Sequence, residues 1–455
     1  MSATAKPAVL SNDYFGALKA RAEEVERAFR AATPKSAAKF KMATNVFPGG
    51  FTRDAVMRSP YAPFMVEGHG SKLTDADGRH VVDFWFNASS MILGHGDPRV
   101  TKAVHAQIDL GTAFYAPTDH ELQLAQLLID RISSAERVRF TNSGSEAVMI
   151  AVRHARGFTK RDLIVKCEGS YHGAYDDMQW SVAPPKERLG AADKPTAVPD
   201  SGGLPDSAAR VLVVPFNNVT ALERLVRSSA DRVAAIIVEP MANRMGLIMP
   251  SKEFLNSARM LCNEIGAVLI FDEVIAFRLG FHGAQGFVGV TPDMTTLGKI
   301  IGGGFPVGAL VGRADIMETS SPSTKGRVTH AGTFNANPVT MVAGLKTMEC
   351  LTPDVYEKIN RKGEAMRTKL KQVFEGLPVQ VTGVGSFFKI NATGTDIVNY
   401  RGAVDVDGTW EEILSRALYT EGFLLTPHLH GCISSVTTDA EIDGFVAAVA
   451  KYAQG

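Results

Sequence analysis

The sequence predicts an α/β fold: a large domain with a mostly parallel sheet flanked by helices, and a smaller α+β domain drawn from both termini. Three observations predict it. From Arg137 to about Val311, short apolar runs (RVRF, LIVKC, RVLVVP, AAIIVEP, AVLIFDE) alternate with helical stretches. These runs are continuous rather than alternating, which marks strands covered on both faces by crossover helices. Beyond Pro338, helices mix with short strands and no long buried run recurs. A chain of 455 residues is also too long for one small core, so two lobes are expected. The expected division is 1–65 (an N-terminal helix and loop that join the small domain), 66–330 (the large domain) and 331–455 (the small domain).

Composition narrows the class of function. Lys+Arg and Asp+Glu balance at 48 each, so no basic excess points to nucleic acid or an anionic membrane as the main partner. Four cysteines are scattered without a CxxC pair, which fits reduced thiols and neither a disulfide framework nor a metal site. The first residues lack the apolar core of a signal peptide, and no apolar run is long enough to span a bilayer. A cytoplasmic enzyme is expected.

Taken in order, Ser11–Thr33 reads as a helix capped by Ser11, Asn12 or Asp13, with an apolar stripe through Leu18, Val25 and Phe29 and an end at Pro34. NVFPGGFTRDAV follows, where a Pro-Gly-Gly turn presents Arg53. FMVEG and KLTDADGRHVVDF form short strands with a hairpin tip at Asp77 and Gly78. Pro98–Leu110 and His120–Ile132 are amphipathic helices, the second placing Leu122, Leu124, Leu127 and Leu128 toward a core. Trp180–Asp206, rich in Pro, Gly and Ala, reads as a long surface loop. After Gly312 the polar stretch ADIMETSSPSTKGRV reads as mobile, and a helix starts near Pro338.

The chemistry gathers around one stretch. AVLIFDE ends on Asp272, and Lys299 stands just ahead of three glycines in LGKIIGGGFPVG. A lysine there can form an imine with an aldehyde cofactor, while a strand-end aspartate keeps that cofactor's ring nitrogen protonated. NSGSEA opens a helix, so Ser143, Gly144 and Ser145 offer a phosphate cradle of backbone N–H groups; the same string also reads as a plain helix cap with Glu146. In EGSYHGAYDD, Tyr171 or His172 can stack on a flat ring. Glu239, at another strand end, points toward the ligand crevice or ties down the next loop. Thr333 sits in a Gly/Asn-rich turn.

The set NSGSEA, GSYHGAYDD, VEP, FDEV, LGKIIGGGFPVGAL and GTFNANP resembles the class III aminotransferases, which use pyridoxal 5'-phosphate on fold type I. The resemblance implies a seven-stranded type of sheet, with Lys299 holding the cofactor as an internal aldimine and Asp272 pairing with its ring nitrogen. It implies that Ser143, Gly144 and Ser145 bind the phosphate, that Tyr171 stacks on the ring with His172 beside it, and that Thr333 reaches the cofactor of the other subunit of a homodimer. No metal is implied. FYAPTDHELQLAQ and GGGFPVG are similar to glutamate-1-semialdehyde aminomutase. PGGFTR, DEVIAFRLGFHG and HAGTFNAN are similar to β-amino-acid aminotransferases, whose arginine at the place of Arg53 binds the substrate carboxylate. Those enzymes carry a further arginine where this chain has TPHLHGC, so either His428 or His430 substitutes or the substrate lacks a second carboxylate. The implied activity is ping-pong transamination of a β-amino acid or related amine with 2-oxoglutarate or pyruvate, with intramolecular transfer of the aminomutase kind as the alternative.

Overall fold

The computed structural model describes residues 8–453 apart from 201, 203 and 206–208. The chain forms two compact units. One comprises Pro98–Glu357 and Ile397–Val404; the other comprises the chain through Asp97, Lys358–Asp396, and the chain from Asp405. Segment 66–97, expected in the large domain, belongs with the termini because Phe423–Leu424 pairs in parallel with His80–Asp83. Segment 331–357, expected in the small domain, belongs to the larger unit.

The larger unit is built on seven strands: β1 (Arg137–Thr141), β2 (Leu163–Cys167), β3 (Val211–Val214), β4 (Val233–Val238), β5 (Val268–Asp272), β6 (Met294–Gly298) and β7 (Gly308–Gly312). Their order is β1-β7-β6-β5-β4-β2-β3. Only β7 runs antiparallel to its neighbours. The two strands around Lys299, MTTLG and GALVG, escape a reading based on long aliphatic runs, because threonine and glycine interrupt them. Every residue of β4 and β5 is buried. Ile236, Ile237, Leu269, Ile270 and Phe271 are each at most 1% exposed, and burying such a side chain contributes about 1.5–3 kcal/mol.

The longer helices of this unit include α1 (Pro98–Leu110), α2 (Asp119–Arg131), α3 (Gly144–Thr159) and α4 (Pro338–Cys350), with Val219–Ser228 and Lys252–Ile265 beside them. Asn337 caps α4 through its side-chain oxygen, which accepts from the N–H groups of Val339 and Thr340, and Pro338 takes the first position. On α2, Leu124 and Leu128 are buried but Leu122 is 68% exposed, because it lies on the opposite face of the helix. Trp180–Asp206 is less superficial than expected. Trp180 and Val198 are each 1% exposed, and Gly190–Ala191 pairs with Lys194–Pro195; the end of this stretch includes positions outside the described residues. The stretch after Gly312 is also anchored, by buried Ile316, Met317 and Ser320.

In the smaller unit, the N-terminal helix is two helices, Ala8–Ala20 and Ala22–Ala32, broken at Arg21. Helical backbone already runs through 11–13, so the helix begins ahead of the expected cap; those three side chains lie outside the described set. Leu18, Val25 and Phe29 are buried as predicted. Pro34 both ends that stretch and opens a third helix, Pro34–Ala43, since proline is pre-organised for a first helical position. A four-stranded sheet contains the predicted Lys72–Asp75/His80–Asp83 hairpin. Phe84, Phe388, Phe423 and Phe445 pack ring against ring beside it. No helix among the described residues is long and apolar enough to cross a membrane.

Candidate active site

β5 and β6 are parallel neighbours with Asp272 opposite Thr296, so Asp272 and Lys299, three residues beyond Thr296, emerge at the same edge of the sheet. That edge is where open α/β sheets bind ligands. Asp272 is 7% exposed. Its Oδ1 accepts from the Val274 N–H at 3.1 Å and from Thr296 Oγ1 at 3.2 Å; its Oδ2 lies 2.9 Å from His172 Nδ1. A carboxylate has about four acceptor positions, so capacity for one further donor is left. Lys299 takes a left-handed backbone conformation with φ 51°, a strained state for a side chain of this kind. Burial lowers its ammonium pKa, against the opposing charges of Asp272 and Glu239.

Glu239 is pushed up to about 8, first by burial and then by the charge of Asp272. Its carboxylate accepts from the backbone N–H groups of Tyr171 at 3.1 Å and Asn243 at 3.4 Å. Of the two roles expected for it, these bonds are those of a loop anchor. Tyr171 carries the Arg244 guanidinium 5.0 Å from its ring centroid. His172 is fully buried, and burial holds its pKa below the ordinary value despite Asp272. Its Nε2 has no hydrogen-bond partner among the described residues.

The NSGSEA turn is a capping-box variant in which the acid reaches one residue past the N-cap Ser143. Ser143 Oγ accepts from the Glu146 N–H at 3.2 Å, and Glu146 reaches back to accept from the Asn142 N–H at 2.6 Å. The cap reading and the cradle reading are compatible, because the N–H groups of Gly144 and Ser145 lie in the first turn, where helices leave donors unpaired. Ser145 Oγ accepts from the Ala174 N–H at 3.2 Å, which ties this turn to the Tyr171–His172 loop. Thr333 is exposed, in a turn whose Asn335 accepts from Asn142 Nδ2 at 2.9 Å.

Several contributors went unread in the sequence. Lys166 is fully buried; its ammonium donates to the carbonyl oxygens of Ser170 and Met178 and pins the loop that carries Tyr171 and His172. A lysine inside the apolar run LIVKC was the available signal. Val274 packs where a Cβ on Gly144 would meet its methyl groups at 2.8 Å. Gly308 pairs with Gly298 on one side and Thr141 on the other, and a Cβ there would lie 2.0 Å from the Ser143 carbonyl oxygen.

Three predicted residues belong to the smaller unit. Arg53 is exposed and donates from Nη2 to Asn87 Oδ1 at 3.2 Å. It lines a cavity of about 300 Å³ with Arg58, Trp85, Asn87, His95 and Thr426. His430 lies beside this wall, its ring centroid 5.9 Å from that of Trp85. His428 is turned elsewhere, 67% exposed and 3.6 Å from Glu411.

An orphaned buried imidazole nitrogen, a carboxylate with spare acceptor capacity, a half-buried lysine and a helix N-terminus kept narrow by Gly144 all fit pyridoxal phosphate. Fold and site therefore define a pyridoxal-phosphate-dependent enzyme of fold type I. The family model "Aminotransferase class-III" matches residues 55–442, and the chain belongs to that family. It is 41% identical over 427 residues to glutamate-1-semialdehyde 2,1-aminomutase of Methanothermobacter thermautotrophicus, covering 92% of this chain and 99% of that one. Among solved structures it is similar to an omega-transaminase from Sphaerobacter thermophilus, with 42% identity, a TM-score of 0.89, and coverage of 92% and 97%. It is also similar to a β-phenylalanine aminotransferase from Variovorax paradoxus, with 32% identity, a TM-score of 0.87, and coverage of 96% and 97%.

Proposed function

We propose that this enzyme moves an amino group on a small carboxylate-bearing substrate, and that it does so by intramolecular transfer of the glutamate-1-semialdehyde 2,1-aminomutase kind. The observation that carries amino-group transfer is the placing of Asp272 and Lys299 at adjoining strand ends. The bound cofactor supplies an electron sink for the carbon bearing nitrogen. Lys299 anchors it, then takes and returns the proton at that carbon, a task favoured by the burial that lowers its pKa. Asp272 holds a proton on the ring nitrogen through a charge-assisted hydrogen bond. The N–H groups of Gly144 and Ser145 bind the phosphate, with the hydroxyls of Ser143 and Ser145 adjoining. Tyr171 and Val274 confine the ring, and His172 orients Asp272. Glu239 and Lys166 position the Tyr171–His172 loop.

The choice of isomerisation rests on the curated relatives, several of which bear the aminomutase name at 38–41% identity over most of the chain. This reverses the order expected from the sequence, which put two-substrate transamination first. Transamination of a β-amino acid or related amine with 2-oxoglutarate or pyruvate is the second reading. It is favoured by Arg53 at the place where β-amino-acid aminotransferases bind a carboxylate, and by the omega-transaminase likeness. In either reading the working form is a cytoplasmic homodimer in which Thr333 serves the partner's cofactor; exposed Phe114, Tyr115 and Phe334 in the same unit fit burial against a second copy.

Supplying the holoenzyme with glutamate-1-semialdehyde, and with β-amino acids, in the presence and absence of 2-oxo acid tests the choice. Isomerisation gives sustained turnover of the semialdehyde without any acceptor. A requirement for one equivalent of 2-oxo acid per turnover overturns it and selects transamination.

A further inference from the structure

The cavity that contains Arg53 contains a second arginine that no motif marked. Arg58 lies five residues on, past the short helical turn Asp54–Val56, and lines the same wall. Its Nη2 donates to the Leu425 carbonyl oxygen at 2.7 Å. Arg53 donates to the neutral amide of Asn87. No ion pair joins either guanidinium to a carboxylate among the described residues.

The acids nearby are otherwise engaged. Asp83, also on the cavity wall, pairs with His95 at 2.9 Å and accepts from the N–H groups of Trp85 and Phe86. Glu412 accepts from the Ser59 N–H and approaches Arg416 at 3.8 Å. Burial pulls the Arg58 pKa down to about 10, with Glu412 and Tyr419 opposing at longer range. At neutral pH the cavity therefore holds two cations whose hydrogen-bond partners are neutral. Arg53 is exposed and Arg58 half-buried, and a guanidinium whose only partner is a neutral oxygen gains a charge-assisted, bidentate pairing when an anionic ligand enters.

The wall between them is shaped by strain. Phe86, Asn87, Ala88 and Ser89 all have positive φ, between 50° and 69°, a left-handed turn that costs L-residues about 1–2 kcal/mol each. Asp83 holds it by accepting from Trp85 and Phe86, and Phe86 stacks on His95 at 5.7 Å. That turn aims Asn87 at Arg53.

We propose that Arg58 is a specificity-determining residue which, with Arg53, selects a substrate bearing two acidic groups, so that the cation missing from the TPHLHGC loop is supplied by Arg58 and not by His428 or His430. The proposal rests on the second reading above, transamination with Arg53 binding a substrate carboxylate, because glutamate-1-semialdehyde itself bears a single carboxylate. It goes beyond that reading in assigning a second carboxylate and the group that meets it.

The test is direct binding of unreactive acids to the holoenzyme by calorimetry, which requires no turnover. Glutarate is compared with its monomethyl ester and with butyrate, in wild type, Arg58→Gln and Arg58→Lys. We expect glutarate to bind wild type about tenfold more tightly than either monoacid. Arg58→Gln brings that ratio to about one, and Arg58→Lys restores part of it, because a point charge replaces the planar fork. Equal binding of glutarate and its monoester to wild type overturns the proposal, and this arm stands even if Arg58→Gln fails to fold. A preference that survives Arg58→Gln overturns it too, and one lost instead in His430→Gln moves the second cation to the C-terminal loop. A glutarate preference in a protein without amino transfer would sink the proposed function and leave the dianion site standing. Amino transfer with no glutarate preference would do the reverse.

Discussion

The edge of the seven-stranded sheet and the cavity around Arg53 hold their functional side chains by different means. At the sheet edge, position comes from the strands themselves. Asp272 and Thr296 are fixed in register, and Asp272 accepts from neighbouring groups of the same unit. Backbone strain there is confined to isolated residues such as Lys299. The Arg53 cavity relies on loops and on four successive left-handed residues held by one buried aspartate. Reaction chemistry needs geometry held to fractions of an ångström, which rigid elements give. The substrate choice proposed for the Arg53 cavity suits segments that tolerate sequence change.

The sharpest way to break this contrast is Lys299→Ala. We expect kcat to fall by about 10²–10⁴-fold or more with the visible absorption of the bound cofactor displaced, because the variant lacks the group proposed to anchor the cofactor and carry the proton. A variant with wild-type turnover would move the chemistry away from the sheet edge. Asp272→Asn keeps the shape but removes the charge opposite the ring nitrogen, and kcat should drop about 10²–10³-fold with KM little altered. On the other side of the comparison, Arg53→Gln should raise KM for carboxylate-bearing amines by about tenfold or more and leave simple amines nearly unaffected. An equal loss on both classes would assign Arg53 to architecture.

Two smaller effects probe how each region is held. Glu239 has its pKa raised to about 8 from an ordinary 4.5, so the folded apoprotein binds more protons than the unfolded chain between those values. Its contribution to stability is then full below pH 4.5 and lost as the pH rises to 8. Glu239→Gln cannot release that proton, so its apoprotein Tm should gain on wild type between about pH 5 and pH 8. A constant difference across that range would show that Glu239 titrates normally. Ala88→Gly should stabilise the protein by about 1 kcal/mol, because glycine adopts a positive φ without the Cβ clash. A loss of stability would mean that the turn is not strained.

Much of the sheet edge was legible in advance because its residues sit at fixed offsets from apolar runs that can themselves be recognised. FDE, LGK and NSGSEA each mark the end of a strand or the start of a helix, and the sheet brings such ends together. Lys166 was missed because a lysine inside the apolar run LIVKC signals a buried cation without saying which loop it pins, and Val274 because a valine in the turn after a strand gives no local sign of filling the space beside Gly144. Around Arg53 the reverse holds. PGGFTR pointed to the arginine, but nothing in FNAS signals a left-handed turn, since none of its residues is glycine. Arg58 in VMRSP reads as any loop arginine until the fold shows its neighbours. The strands flanking Lys299 were obscured by their own threonines and glycines, and close packing requires the glycines at 298 and 308.

That packing has a mechanical consequence. With Gly308 bonded to the lysine-bearing strand on one side and to the strand before the Ser143 turn on the other, a single backbone serves as the gauge block between anchor lysine and helix N-terminus. A Cβ at position 308 would lie 2.0 Å from the Ser143 carbonyl oxygen, so even alanine there would force that turn away and widen the span.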